Sequence, residues 1–370
     1  MTDPNQNQPD PPLLSEIIDS PLSRRFFLRR AGVAGAAVAA AGCRPPGIEE
    51  RTAADGQEVG RGMINSNSRA DTALDIAHTP GHTDATVDAS TVEYHRYDPT
   101  LPPLSDSRTL RLHWRSTEVP VRISRNKVVA AWTFEGDVPG PIVHVRQGDT
   151  VEFTLTNEGV MPHSMDFHAS QLNPAVAFRS VAQGESVTFT FQPRYAGAFL
   201  YHCGTGPVLM HIGAGMYGAI IVDPPDPLPA AKEFVLVQSE YYISDGPGGI
   251  STIDYGKMME TVPDYVLFNG RPDQYILEPI RVSVGDRVRF YVVSAGPTYP
   301  CNFHLVGEQF DTVYLGAPPG SAINGVQTFA VPPGGGMIFE FIADVPGEFP
   351  FVNHGFGHGQ KGGIGFLVVE

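Results

Sequence analysis

Two stretches of this 370-residue chain read alike. Gln147-Gly148-Asp149-Thr150-Val151-Glu152-Phe153 and Val284-Gly285-Asp286-Arg287-Val288-Arg289-Phe290 each place a Gly-Asp turn before residues that alternate apolar and polar. Further on, Gly197-Ala198-Phe199-Leu200-Tyr201-His202-Cys203-Gly204 has its counterpart in Gly347-Glu348-Phe349-Pro350-Phe351-Val352-Asn353-His354. Alternation sends successive side chains to opposite faces, so these are half-buried strands. Val143-His144-Val145-Arg146 and Ser186-Val187-Thr188-Phe189-Thr190-Phe191 continue the pattern, with His113 and His144 at polar, surface-type positions. No amphipathic helix interrupts it. The sequence predicts an all-β chain of two tandem Greek-key barrels or sandwiches, one domain duplicated and then diverged. The 40 glycines and 34 prolines suit many turns between short strands.

Ahead of the repeats the residues change character. Ser23-Arg24-Arg25-Phe26-Phe27-Leu28-Arg29 and the apolar run 31–41, too short for a permanent span, resemble a twin-arginine leader. Ala40-Ala41-Gly42-Cys43 resembles a lipobox in which Cys43 would be acylated. The expected organisation is an export signal over residues 1–43, a flexible linker over 44–105, a first domain over 106–225 and a second over 226–370. An exported protein, periplasmic or at the cell surface and tethered through Cys43, follows. The linker's His78, His82 and His95 read as incidental. A formal charge of −15 argues against nucleic acid, which needs clustered cations. The three cysteines, Cys43, Cys203 and Cys301, suggest no disulfide framework.

The chemistry concentrates over residues 201–216. Cys203, His211 and Met216 stand at Cys-x7-His-x4-Met, and a thiolate, imidazole and thioether together are the ligand set of a blue-copper electron-transfer centre. Upstream, Met161-Pro162-His163-Ser164-Met165-Asp166-Phe167-His168 supplies two more imidazoles. In an extended segment Asp166 and His168 share one face and His163 takes the other; the same parity separates His202 from Cys203. Two copper sites on opposite sides of these strands follow: Cys203, His163, His211 and Met216 for one, His168 and His202 for the start of the other. His354, close to the His202 position in the repeat, is the best third ligand. Three imidazoles leave a coordination position open, as a catalytic metal requires.

Pro162-His163-Ser164-Met165-Asp166-Phe167-His168, the segment 201–216, Phe303-His304-Leu305-Val306-Gly307-Glu308 and Val352-Asn353-His354 together resemble the two-domain copper nitrite reductases, in order and over nearly all of residues 108–370. The short loop between Cys203 and His211 looks like the branch that includes outer-membrane lipoproteins. The resemblance implies two cupredoxin domains and a homotrimer in which His354 completes the catalytic copper of a neighbouring subunit. It implies His163, Cys203, His211 and Met216 around a type 1 copper that takes electrons from a donor protein, a small blue-copper protein or cytochrome c. It implies His168, His202 and His354 around a type 2 copper where nitrite is reduced to nitric oxide, with Asp166 and His304 handling protons. Four residues depart from the family pattern or have no role in it: Val306 where isoleucine is usual, Gly204 where alanine is common, and Cys301 and His358, which match no ligand.

Two other functions fit parts of the chain. A laccase-like multicopper oxidase would hold its copper cluster with His-x-His pairs, and none of the 12 histidines has another two places away. A blue-copper electron carrier without turnover would have no use for Asp166 and His304.

Overall fold

The computed structural model describes residues 88–370; the leader, Cys43, His78 and His82 lie outside them. The first repeat supplies strands β1 (Thr109–Ser124), β2 (Lys127–Phe134), β3 (Val143–Arg146), β4 (Thr150–Asn157), β5 (Asp166–Phe167), β6 (Ser186–Phe191), β7 (Gly197–His202) and β8 (Tyr217–Asp223). The second supplies β9 (Lys232–Tyr241), β10 (Ile243–Ser244), β11 (Ile250–Ile253), β12 (Tyr265–Phe268), β13 (Ile280–Val282), β14 (Arg287–Gly296), β15 (Cys301–Leu305), β16 (Phe310–Tyr314), β17 (Ala322–Val326), β18 (Thr328–Val331), β19 (Gly336–Ile342), β20 (Gly347–Asn353) and β21 (Ile364–Val369). The helices among the described residues are short, the longest being Val208–Gly213.

Each repeat closes as two sheets on one core. In the first, the order β10-β11-β2-β1-β4-β6 lies against β3-β8-β7-β5, with Phe153 and Phe189 from one sheet meeting Leu200 and Ile220 from the other in a shared apolar cluster. In the second, β12-β9-β14-β19-β16-β17 lies against β13-β21-β20-β15-β18, and Phe290 and Phe339 meet Phe303 and Phe351. Alternation holds where a strand has one wet face: β6 buries Val187, Phe189 and Phe191 and exposes the residues between them.

The repeats do not stay apart. Val235 and Val237 of β9 and Tyr291 and Val293 of β14 enter the first domain's core, so β9 and β14 are buried along most of both faces. Ile250 and Ser251 pair in parallel with Val128 and Val129, so β11, counted with the second domain from sequence, extends a first-domain sheet. The linker read to residue 105 ends earlier than expected. Tyr97 and Leu101 are buried, the Tyr97 hydroxyl donates to the Gly140 carbonyl at 2.8 Å, and Val235 N donates to Pro99 O at 2.7 Å. Two apolar anchors and a few backbone groups hold a segment whose average polarity suggests none. His144 also departs from its surface reading. Its side chain is 7% exposed, and its ring sits between Pro102 O at 2.6 Å and Asp223 Oδ1 at 3.1 Å.

Candidate metal centres

The first group is assembled by three segments. His163 lies just before β5, fixed by a two-way backbone bridge to Val181. Cys203 directly follows β7, and its N–H donates to Met216 O at 3.1 Å, folding the intervening loop into a closed ring. Within that loop the Val208–Gly213 helix carries His211. The side chains converge in a dry pocket: Cys203 Sγ to His211 Nδ1 is 3.2 Å, His163 Nδ1 to His211 Nδ1 is 3.2 Å, and His163, Cys203, His211 and Met216 are all at most 1% exposed. Trp132 walls the group, its ring 5.6 Å from that of His163 and 4.7 Å from that of His211.

The electrostatics of this pocket favour the thiolate. Burial pushes the Cys203 thiol up, yet hydrogen bonds and charge from His163 and His211 pull it well below the ordinary thiol range. Ser164 N–H also donates to the sulfur at 3.3 Å. Burial disfavours a charged His163, but Cys203 and Glu118 together raise it above its ordinary value. Glu118 Oε1 accepts from His163 Nε2 at 3.3 Å, which turns Nδ1 inward. A thiolate and two inward nitrogens in an apolar shell are a donor set that fits copper.

The second group lies across the same strands. Asp166 of β5 pairs in register with His202 of β7, and His168 follows β5. His168 Nε2 and His202 Nε2 face each other at 3.0 Å. Their other nitrogens are engaged: His168 Nδ1 donates to Gly334 O at 2.9 Å, and His202 Nδ1 donates to Cys203 O at 2.8 Å. A carbonyl only accepts, so each ring carries a proton on Nδ1, and in the neutral rings the two Nε2 lone pairs oppose each other. That arrangement is relieved by a cation held between them, and the donor atoms fit one. Asp166 Oδ2 is 4.0 Å from His202 Nε2. Burial, and then the neighbouring His202, lower the His168 pKa below its ordinary value.

His304 and His354 stand elsewhere. Among the described residues, the three-donor group around His202 consists of Asp166, His168 and His202, without His354. His354 follows β20, and its ring meets that of His304 on the adjacent β15 at 5.1 Å. His304 Nδ1 donates to Gln327 O at 2.6 Å, with the Thr328 hydroxyl 3.1 Å away. Val306 is exposed just beyond. Cys301 is fully buried in the second core, which pushes its thiol up, and the His358 ring meets that of Tyr299 at 4.5 Å, tilted by 49°.

Sequence reasoning missed Glu118, Gly334 and Trp132. They arrive from strands and loops remote in sequence and are ordinary residue types in ordinary surroundings. Only the folded register brings them to the ligand loop.

Comparisons with known proteins point to one family. The multicopper oxidase family model matches residues 116–227. The copper-containing nitrite reductase of Neisseria gonorrhoeae is 38% identical over 284 residues, covering 74% of this chain and 72% of its own. That of Neorhizobium galegae is 30% identical, with 90% and 91% covered. The solved copper nitrite reductase from Nitrosomonas europaea superposes with a TM-score of 0.66 at 36% identity, covering 71% of this chain and 94% of that one. With a thiolate group and an imidazole group built back to back on the same strands, and with relatives of that likeness over most of their length, the chain belongs to the copper-containing nitrite reductases.

Proposed function

We propose that the chain reduces nitrite to nitric oxide, as a dissimilatory-type enzyme, at a type 2 copper supplied with electrons through a type 1 copper. His163, Cys203, His211 and Met216 would hold the type 1 ion, and His168, His202 and His354 the type 2 ion, one of each per subunit. Copper supplies the one-electron change that the reduction requires. The observation that carries this reading is the adjacency of Cys203 and His202. One residue closes the dry group and the residue before it enters the group on the other face, so a single peptide unit joins the two.

Turning nitrite into nitric oxide and water also consumes two protons. Asp166, with its side chain 31% exposed, is open enough to exchange protons with solvent and lies beside His202. His304, with Nδ1 fixed by Gln327 and Thr328, carries a second exchangeable proton at Nε2 when charged. Because His304 and His354 pair with each other and not with His168 and His202, the reading calls for a second copy of the chain. A head-to-tail homotrimer closes each half-site on its neighbour's, since a heterologous contact that closes makes a ring. The electron donor would be a small blue-copper protein or cytochrome c. Export and a lipid tether at Cys43 belong to the proposal on the leader's residues alone, and mass spectrometry of the mature N-terminus tests them.

The central test measures copper per chain, together with nitric oxide evolved from nitrite with a reduced artificial donor. One copper per chain and no gas would sink the reading.

A further inference from the structure

A buried carboxylate needs a partner, and Glu118 of β1 has His163. Its side chain is 7% exposed, and a single oxygen, Oε1, lies 3.3 Å from His163 Nε2 and 2.8 Å from Met161 N. The loop before His163 lies directly on this acid: a Cβ added at Gly159 would come within 2.8 Å of the same oxygen. The opposite ring nitrogen, His163 Nδ1, faces His211 and Cys203. A carboxylate on the outer N–H of a ligating imidazole makes the ring a stronger electron donor. In a water-excluded pocket its negative charge also favours the more positive state of a nearby ion.

We propose that Glu118 is a positioning residue that fixes the His163 ring and holds down the reduction potential of the copper ion bound by His163, Cys203 and His211. The proposal rests on His163 being a ligand of that ion. Glu118 does so from outside the ligand set, through one hydrogen bond and one fixed charge. Glu118→Gln keeps the shape and an acceptor oxygen for both N–H groups, and removes the charge.

The experiment is a redox titration of the blue absorbance in the copper-loaded full chain, with the paramagnetic resonance signal of the second copper recorded alongside. Glu118→Gln is expected to keep the blue band and shift the one-electron equilibrium toward the reduced ion by about tenfold, roughly 59 mV. The second copper's signal stays unchanged, and Glu118→Asp, which keeps the charge at shorter reach, falls between the two. An unchanged midpoint with the blue band intact overturns the proposal. A wild-type chain that takes up copper without any blue band fails the ligand assignment instead. If Glu118→Gln does not hold copper, proton resonance of the copper(I) wild-type protein decides. A His163 Nε2 proton protected from exchange supports the carboxylate contact, and a rapidly exchanging one overturns it.

Discussion

His202 and Cys203 are neighbours in sequence and strangers in environment, one opening toward water and the other sealed from it. Substitutions should separate their consequences. Cys203→Ser is expected to abolish the blue absorption while leaving the second copper's resonance signal, because His168 and His202 keep their carbonyl partners. His354→Ala is expected to do the reverse, removing the second copper and at least a hundredfold of the nitrite turnover, on the order of what one essential acid–base or ligand group contributes; loss of the blue band instead would show the ligands wrongly divided. His168 gives a pH test in the copper-free protein. Burial and then His202 lower its pKa below 6.5, so the unfolded chain takes up its proton first as the pH falls. The stability held by the neutral ring is therefore present above 6.5 and lost progressively below it, down to the lowered native value. Denaturant midpoints measured between neutral and mildly acid pH should fall in the wild type and fall less in His168→Gln. His163, Cys203 and His211 were legible as one group because a thiol and imidazoles at fixed spacing have few other uses. Glu118 and Gly334 were not, since an acid in a strand and a glycine in a turn have many.

At the scale of elements, alternation exposed the strands with one wet face and failed where two domains meet. β4 and β6 could be read directly. β9 and β14 could not, because contact with the other repeat buries the face that would have been polar. The pairing of β11 with β2 was equally hidden, as nothing in Ile250-Ser251-Thr252-Ile253 names its partner strand. The turn after β20 shows how an element presents a site residue. Asn353, fully buried in the Cys203 position of the repeat, donates to Gln238 Oε1 at 2.6 Å and Pro300 O at 3.1 Å and accepts from Gly355 N at 3.0 Å. Its neighbour His354 is thereby clasped from both sides. Asn353→Ala is expected to cost about 1–3 kcal/mol in denaturant unfolding by leaving the buried Gln238 Oε1 without its donor, and to weaken retention of the second copper under dialysis while the blue band stays. In the core beside it, Phe303 meets Phe268, Phe290, Phe310, Phe339 and Phe351. Phe303→Ala is expected to cost about 3–5 kcal/mol, read in the same way.

For the whole molecule, the proposed ring of three chains has a test independent of any single defect. His168→Ala and His354→Ala are each expected to be inactive alone. Co-expressed, they should recover part of the wild-type turnover, because in mixed trimers some interfaces join two undamaged halves. Activity that stays absent in demonstrated mixed trimers would refute sharing between subunits. The contact between His168 and Gly334 carries a different consequence. A ring from the first repeat takes its orientation from a glycine turn of the second, whereas the thiol group is built wholly from the first. The seam between the repeats therefore supplies an orienting group to the imidazole centre alone, while at the thiol centre it supports the ligand helix, where Met258 of the second repeat packs on Gly213. On the proposed reading, slackening that seam would free the His168 ring and loosen the floor under His211 together, so a single fault between the repeats would reach the receiving and the delivering end at once.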